Sequence, residues 1–497
     1  MEQYENVLFN SFQFLVFFPI VVASYFAVPH RYRWGLLLIA SYYFYMCWRP
    51  EYVLLIMAST LIDYFAALRM GACETKPQRR KYLWMSLFAN LGLLFTFKYA
   101  NFAGQTVQDL MSFADLHYDV PILNVLLPIG ISFYTFQTLS YSIDVYRGQR
   151  EPERHLGKFA VYVSFFPQLV AGPIERSKTL LPQFDEIHRF DYGLAKSGAL
   201  LMLWGFFKKL VIADQAAIYV NAAYGNPAGQ SGLSLLVASY LFTFQIYCDF
   251  SGYSDIAIGS SRVLGFRLME NFRRPLLARS IGEFWERWHI SLSTWFRDYV
   301  FMPLSLSPWL RPRMSIQGLL YLSLAITWTL VGLWHGAKWN FVVWGAYQAL
   351  LLIAARLLRP LVVRATRRAR ALGAGSLPSS LTDAGWMIFT FHLVVLGLVF
   401  FRADSMSDAL AILKTISTDT ILTSEALFAG ITPVELAAIV LPIVFLGAVE
   451  LGQGDETFVS FVRARPIAVR FTIYLTLIFG IALLGVFEGE AFIYFQF

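Results

Sequence analysis

The sequence predicts an all-α protein that crosses a membrane many times, and three observations lead there. Of 497 residues, 57% are hydrophobic, 17% aromatic and 15% charged, with a mean hydropathy of +0.53; soluble domains run at roughly half apolar and a quarter charged. Several apolar stretches exceed the about 18 residues needed to cross ~30 Å of hydrocarbon at ~1.5 Å per residue. The basic residues collect in short segments between these stretches, so the net charge of +7 and pI near 9.1 follow the positive-inside rule and not a nucleic-acid patch.

Taken in order, the candidate spans are 7–28, 34–48, 51–69, 82–99, 121–145, 195–221, 231–248, 315–334, 339–356, 385–401, 433–451 and 468–487, giving roughly 11–13 crossings. The first follows acidic Glu2 and Glu5 and precedes no Ala-x-Ala-like site, so it reads as a retained span and not a cleaved signal. Lys76, Arg79, Arg80 and Lys81 form a basic loop, whereas Tyr99 to Tyr146 holds no Lys or Arg. The first belongs in the cytoplasm and the second outside. Cys47, Cys73 and Cys248 are far apart and without a Cys-x-x-Cys pair, so they read as packing residues, not as a disulfide or zinc framework.

Orientation counting conflicts at Phe159 to Ala171, which is apolar but too short to span. A re-entrant segment over 159–174, broken by Pro167, Gly172 and Pro173, resolves the conflict. Such backbone is tolerated at membrane depth only when buried in protein or lining a cavity. From Arg262 to Arg313 nine arginines mark a second large cytoplasmic region. Within it Ile281, Phe284, Trp285, Trp288, Leu292, Trp295, Phe296 and Tyr299 follow helical spacing opposite Glu283, Glu286, Arg287 and Asp298, which predicts one amphipathic helix. Arg356 to Arg370 marks a further cytoplasmic loop, with Gly373 to Ser380 its flexible part. There is no fixed-period repeat and no matched pair of broken spans in two halves, which disfavours a transporter built on inverted repeats.

Among seven histidines, His30, His117, His155 and His188 fall in loops and read as solvated, and His392 reads as a hydrogen-bonding group between helices. His335 lies within Gly332-Leu333-Trp334-His335-Gly336, in an apolar run from Ser315 to Ala354 whose other charged group is Lys338. Ionisable groups at membrane depth are costly and by default mark function, and an imidazole there is either a general base or a structural hydrogen-bonding group. His289, in Arg287-Trp288-His289, borders the apolar face of the amphipathic helix; it points into protein or lies on an interfacial helix. Asp249 to Asp255, with Ser251 and Tyr253, either binds a polar ligand or stabilises a broken helix. Lys208 and Lys209 read as snorkelling to the cytoplasmic surface.

Four motifs then resemble the membrane-bound O-acyltransferase (MBOAT) family, and within it the branch that O-acetylates bacterial alginate. They are Phe166-Pro167-Gln168-Leu169-Val170-Ala171-Gly172-Pro173-Ile174, Asp249 to Asp255, Phe284-Trp285-Glu286-Arg287-Trp288-His289-Ile290-Ser291-Leu292-Ser293, and Gly332 to Gly336. The opening Phe9-Asn10-Ser11 and the closing Phe492 to Phe497 also resemble that branch. The resemblance implies one MBOAT domain over 1–497. Its parts are N-terminal spans in 7–145, a core in 146–335 holding the re-entrant segment 159–174, the amphipathic region 267–313 and the catalytic span, and C-terminal spans in 336–497.

By the same resemblance, His335 is the catalytic histidine in the membrane and His289 the second, intracellular-side polar residue, within a funnel-shaped bundle with a thin central partition. Asp249, Ser251, Tyr253, Asp255, Arg287, Trp288 and Trp334 are candidates for donor binding or for supporting the histidines. No metal or cofactor is expected; acetyl-CoA or an acyl carrier is the donor, with extracytoplasmic acetyl-transfer proteins, a polysaccharide acceptor and membrane lipids as partners. The implied location is the bacterial inner membrane. His335 would be general base toward an acceptor hydroxyl, and His289 would orient the thioester or stabilise charge at its carbonyl. Alginate, cellulose and peptidoglycan all fit as acceptor; a proton-coupled transporter, or an MBOAT carrying D-alanine or a lipid acyl chain, are the competing readings.

Overall fold

In the computed structural model the described residues are 9–116, 120–123, 125–371, 378–419, 423, 427–428, 431–487 and 492–493. His117, residues 373–377 and the closing Tyr494 to Phe497 lie outside them. Among the described residues the regular structure is helical throughout. Seven helices are long and apolar enough to cross a membrane: Pro50–Gly71, Gly232–Val263, Ile316–His335, Trp339–Arg364, Ser380–Arg402, Pro433–Gln453 and Ile467–Leu484. Other expected spans are helical but shorter or more polar. Phe12–Ala27 has 16 residues, and Lys76–Leu94 opens on four basic side chains.

At the centre stands Gly232–Val263, started by Ser231, whose side chain accepts from the Ser234 amide. It packs backbone to backbone on Tyr192–Phe206. A Cβ on Gly205 would meet the Gly252 carbonyl oxygen at 2.6 Å, and one on Gly198 would meet that of Gly259 at 2.5 Å. Without side chains at these points the helices approach closely, the usual device where lipid supplies no hydrophobic drive between helices.

Five expectations change. Residues 120–130 are not helical where described, and the helix of the 121–145 stretch starts at Ile131, after Gly130 in left-handed conformation (φ 75°). The Asp249 to Asp255 cluster does not break its helix, which runs on to Val263. Lys208 and Lys209 do not snorkel. A π segment, Phe207–Ala213, turns both inward, where Lys208 pairs with Asp255 at 2.6 Å and Lys209 with Asp249 at 2.6 Å and Asp214 at 2.7 Å. A charge taken out of water must be paired, and here each buried ammonium has a carboxylate within hydrogen-bonding distance.

The fourth change concerns Phe159 to Ala171, which is half helix (Leu156–Ser164) and half turns. Every residue from 159 to 177 is buried, as irregular backbone among apolar elements requires. The fifth is the amphipathic helix. It is two helices, Ile281–Arg287 and Ile290–Phe296, followed by a π turn, Arg297–Phe301. His289 breaks it, with φ 43° in the left-handed region. His392 donates to or accepts from Tyr240 of the central helix at 2.9 Å, as expected of a helix-to-helix link.

Candidate active site

Helix Ile316–His335 begins at Ser315, whose side chain caps the Gly318 amide at 3.0 Å, and its 20 residues carry His335 to the opposite end. At ~1.5 Å per residue this is about 30 Å, a full hydrocarbon thickness. Gly336 then ends it in extended conformation, and the chain returns as Trp339–Ala371. The two helices touch at Gly332 and Gly345: a Cβ on Gly332 would meet the Phe341 oxygen at 2.1 Å. The glycine one turn before His335 therefore sets its depth between helices.

His335 is buried at 3% exposure, with its ring 4.9 Å from that of Trp334, 5.1 Å from Trp344 and 5.2 Å from Phe401. His289 is fully buried, 4.6 Å from Phe250 and 5.9 Å from Trp334. The two imidazole centroids are 6.5 Å apart. The sequence puts His335 in the membrane and His289 on the intracellular side; the tertiary fold makes them neighbours in one aromatic-walled space.

Asn271 holds His289. Its backbone oxygen accepts from Ile290 N at 2.9 Å, and its side-chain Oδ1 accepts from Ser291 N at 3.1 Å and Ser291 Oγ at 2.9 Å. Because a backbone N–H only donates, that atom is the amide oxygen, and His289 Nδ1 at 3.2 Å from it must carry the proton. Nε2 of neutral His289 is then the basic nitrogen. Asn271 Nδ2 donates to Ser254 Oγ at 3.2 Å, anchoring the whole turn to the central helix. A left-handed non-glycine residue costs about 1–3 kcal/mol and persists where its surroundings over-determine it, as here.

Cavities open on both sides of His335. One of about 30 Å³ is lined by Lys98, residues 127–133, Trp334 and His335. Another, of about 20 Å³, has walls of Trp285, Trp288, Trp344, Phe401 and Gln348. A larger one of about 350 Å³ lies behind His289, reaching Ser254, Asn271 and Phe272 and rimmed by Lys208, Asp255, Arg262 and Arg274.

Of the residues expected at the site, the fold brings together His335, His289, Trp334 and Trp288. It leaves Asp249, Ser251, Tyr253 and Arg287 away from the histidines and sets Asp255 on the large cavity. Asp249 binds Lys209 and the Ile493 amide at 3.0 Å, Ser251 accepts from Lys208 at 2.9 Å, and Tyr253 packs between Phe9 and the edge-on ring of Phe492. Asp255 lines the large cavity beside Lys208, and Arg287 pairs with Glu283 at 2.5 Å. On one helix, Phe250 and Ser254 face the histidines while Asp249 and Tyr253 turn away, as 100° per residue dictates. Sequence reasoning missed Asn271, which has no periodic signal, and Lys98, whose signal was available as a lone ammonium in an apolar stretch.

Residues 154–376 match the sequence profile of MBOAT, the membrane-bound O-acyltransferase family. The chain is 41% identical to a probable alginate O-acetylase of Pseudomonas putida over 405 residues, covering 80% of this chain and 77% of that one. With the probable alginate O-acetylase of Pseudomonas aeruginosa it shares 38% identity over 450 residues, 89% of this chain and 81% of the other. A peptidoglycan O-acetyltransferase of Helicobacter pylori is 31% identical over 440 residues, covering 82% and 79%.

Proposed function

This chain belongs to the membrane-bound O-acyltransferase family and is a multi-pass O-acyltransferase, and from that premise we propose that it moves an acetyl group from a cytoplasmic donor across the membrane for O-acetylation of an extracytoplasmic polysaccharide. The observation that carries this reading is the pair of buried imidazoles, 6.5 Å apart, with one cavity lined by His335 and a larger one reaching Asn271, the partner of His289. A thioester is already activated, so a placed base suffices for transfer. His335 takes the proton from the acceptor hydroxyl as its oxygen bonds to the thioester carbonyl carbon. The tetrahedral intermediate collapses, the C–S bond breaks, and the thiolate leaves with the proton returned by His335.

Nε2 of neutral His289 accepts a hydrogen bond and cannot donate one to an oxyanion, so of its two expected roles the tautomer favours orienting the donor. The cavity beside the indoles, about 20 Å³ and walled by Trp285, Trp288 and Trp344, leaves little room beside His335, which supports a short acyl group over a long one. The large cavity, about 350 Å³, mixes Lys208, Arg262, Arg273 and Arg274 with Asp255, Glu270, Glu450, Asp455 and Glu456 on its walls, and its size and polarity support it as the way in for the donor. The Lys/Arg pattern supports a cytoplasmic position for that side, and the bacterial relatives favour the inner membrane, with soluble extracytoplasmic proteins completing delivery to alginate or another glycan. All of 1–497 acts as one such domain.

Membranes containing the protein, supplied with labelled acetyl-CoA, test the donor. Acetyl turnover that excess palmitoyl-CoA fails to compete supports an acetyl donor. Turnover of palmitoyl-CoA in preference to acetyl-CoA, or proton-coupled flux with no acyl transfer, overturns it.

A further inference from the structure

A helix leaves its last four carbonyl oxygens without intrahelical partners, and in Ile316–His335 these belong to residues 332–335, the turn that carries the histidine. Three of them are taken by two adjacent residues from elsewhere in the chain. Tyr99 Oη donates to the Leu333 oxygen at 3.0 Å. Lys98 Nζ donates to the Trp334 oxygen at 2.6 Å and the His335 oxygen at 3.3 Å. The third ammonium proton faces Ser132 Oγ at 3.4 Å, on the wall of the cavity that His335 also lines.

We propose that Lys98 and Tyr99 are positioning residues for His335, closing the end of its helix from a neighbouring one and so fixing where its imidazole stands. Their placement follows from a π segment, Phe95–Tyr99, inserted between Lys76–Leu94 and Ala100–Phe113. The wider turn brings two consecutive side chains toward one partner, and such bulges recur at functional positions. A cation at a helix C-terminus also meets the negative end of the helix dipole. All three ammonium protons of Lys98 are committed to protein oxygens, so its role is to hold the turn and not to bind substrate.

An ordinary cap at Gly336 is absent, because that residue is extended and gives no capping bond. The helix therefore depends on these two residues for the order of its last turn. Displacing a reacting group by ~1 Å can cost ~10²-fold in rate.

The inference rests on His335 being the base, and two readouts keep the questions apart. Purified Lys98→Ala should show faster amide hydrogen exchange in the peptide covering 330–338, and kcat lowered about 10- to 100-fold with donor KM within about twofold. Ethylammonium should restore part of kcat, saturably, and tetramethylammonium, which has no N–H, should not. Tyr99→Phe should show the same exchange effect in smaller degree. If Lys98→Ala does not insert, Lys98→Met keeps the stem and gives the same reading. Unchanged exchange overturns the inference; faster exchange with wild-type kcat overturns positioning, and together with an active His335→Gln it overturns the base assignment as well. A loss of kcat equally indifferent to both amines also refutes it.

Discussion

Replacing His335 with glutamine isolates the proposed chemistry from packing. The ring is 3% exposed and in contact with Trp334, Trp344 and Phe401, so truncation to alanine would open a hole among aromatics. Large-to-small changes at such sites cost about 2–5 kcal/mol of stability, enough to confuse an activity measurement. Glutamine keeps similar length and hydrogen-bonding atoms but has no nitrogen that titrates. General-base catalysis contributes ~10²- to 10⁴-fold, which at ~1.36 kcal/mol per decade is about 2.7–5.4 kcal/mol of barrier. The assay is the initial rate of acetyl transfer from labelled acetyl-CoA by purified protein, normalised to the folded fraction by thermal melting. We expect a loss of at least about 100-fold with little change in melting temperature. A rate within about threefold of wild type would refute the base assignment, since no removal of a proton acceptor leaves a barrier so nearly unchanged.

Asn271→Leu should lower kcat by ~10- to 100-fold, because it frees the His289 ring and strands the buried Ser291 amide at a cost of about 1–3 kcal/mol. Asn271→Asp, which keeps the acceptor oxygen, should retain more activity; steady-state kinetics on both checks the order. Lys338 sits one turn beyond the histidine but is exposed, and its backbone oxygen, not its side chain, is what binds Phe341 N at 3.2 Å. Lys338→Ala should therefore keep substantial polymer acetylation in cells, and complete loss at normal protein level would show a role for the ammonium in binding donor or acceptor.

The local physics of the chain was legible in its sequence. Apolar runs longer than a bilayer is thick, a Ser315 cap twenty residues before His335, and an imidazole isolated among apolar residues are each written in consecutive letters. The histidines themselves, the buried non-helical stretch after Ser164 and the helix-to-helix bond of His392 follow from such patterns. These follow from the cost of placing each residue type in lipid, which consecutive letters display.

What tertiary structure alone decided is which of those residues meet. Periodicity drew one amphipathic helix through 281–299, because a repeat of apolar residues carries no sign of the left-handed turn that Asn271, eighteen positions earlier, holds at His289. Composition made Lys208 and Lys209 cations in need of water, yet a π segment and three carboxylates, two of them forty or more residues on, supply that need inside the protein. Lys98 and Tyr99 reach carbonyls over 230 positions away. The physical reason is common to all three: a buried charge or unpaired backbone group is satisfied by whatever the fold places within ~3 Å, and that distance is set by packing between helices and not by separation along the chain.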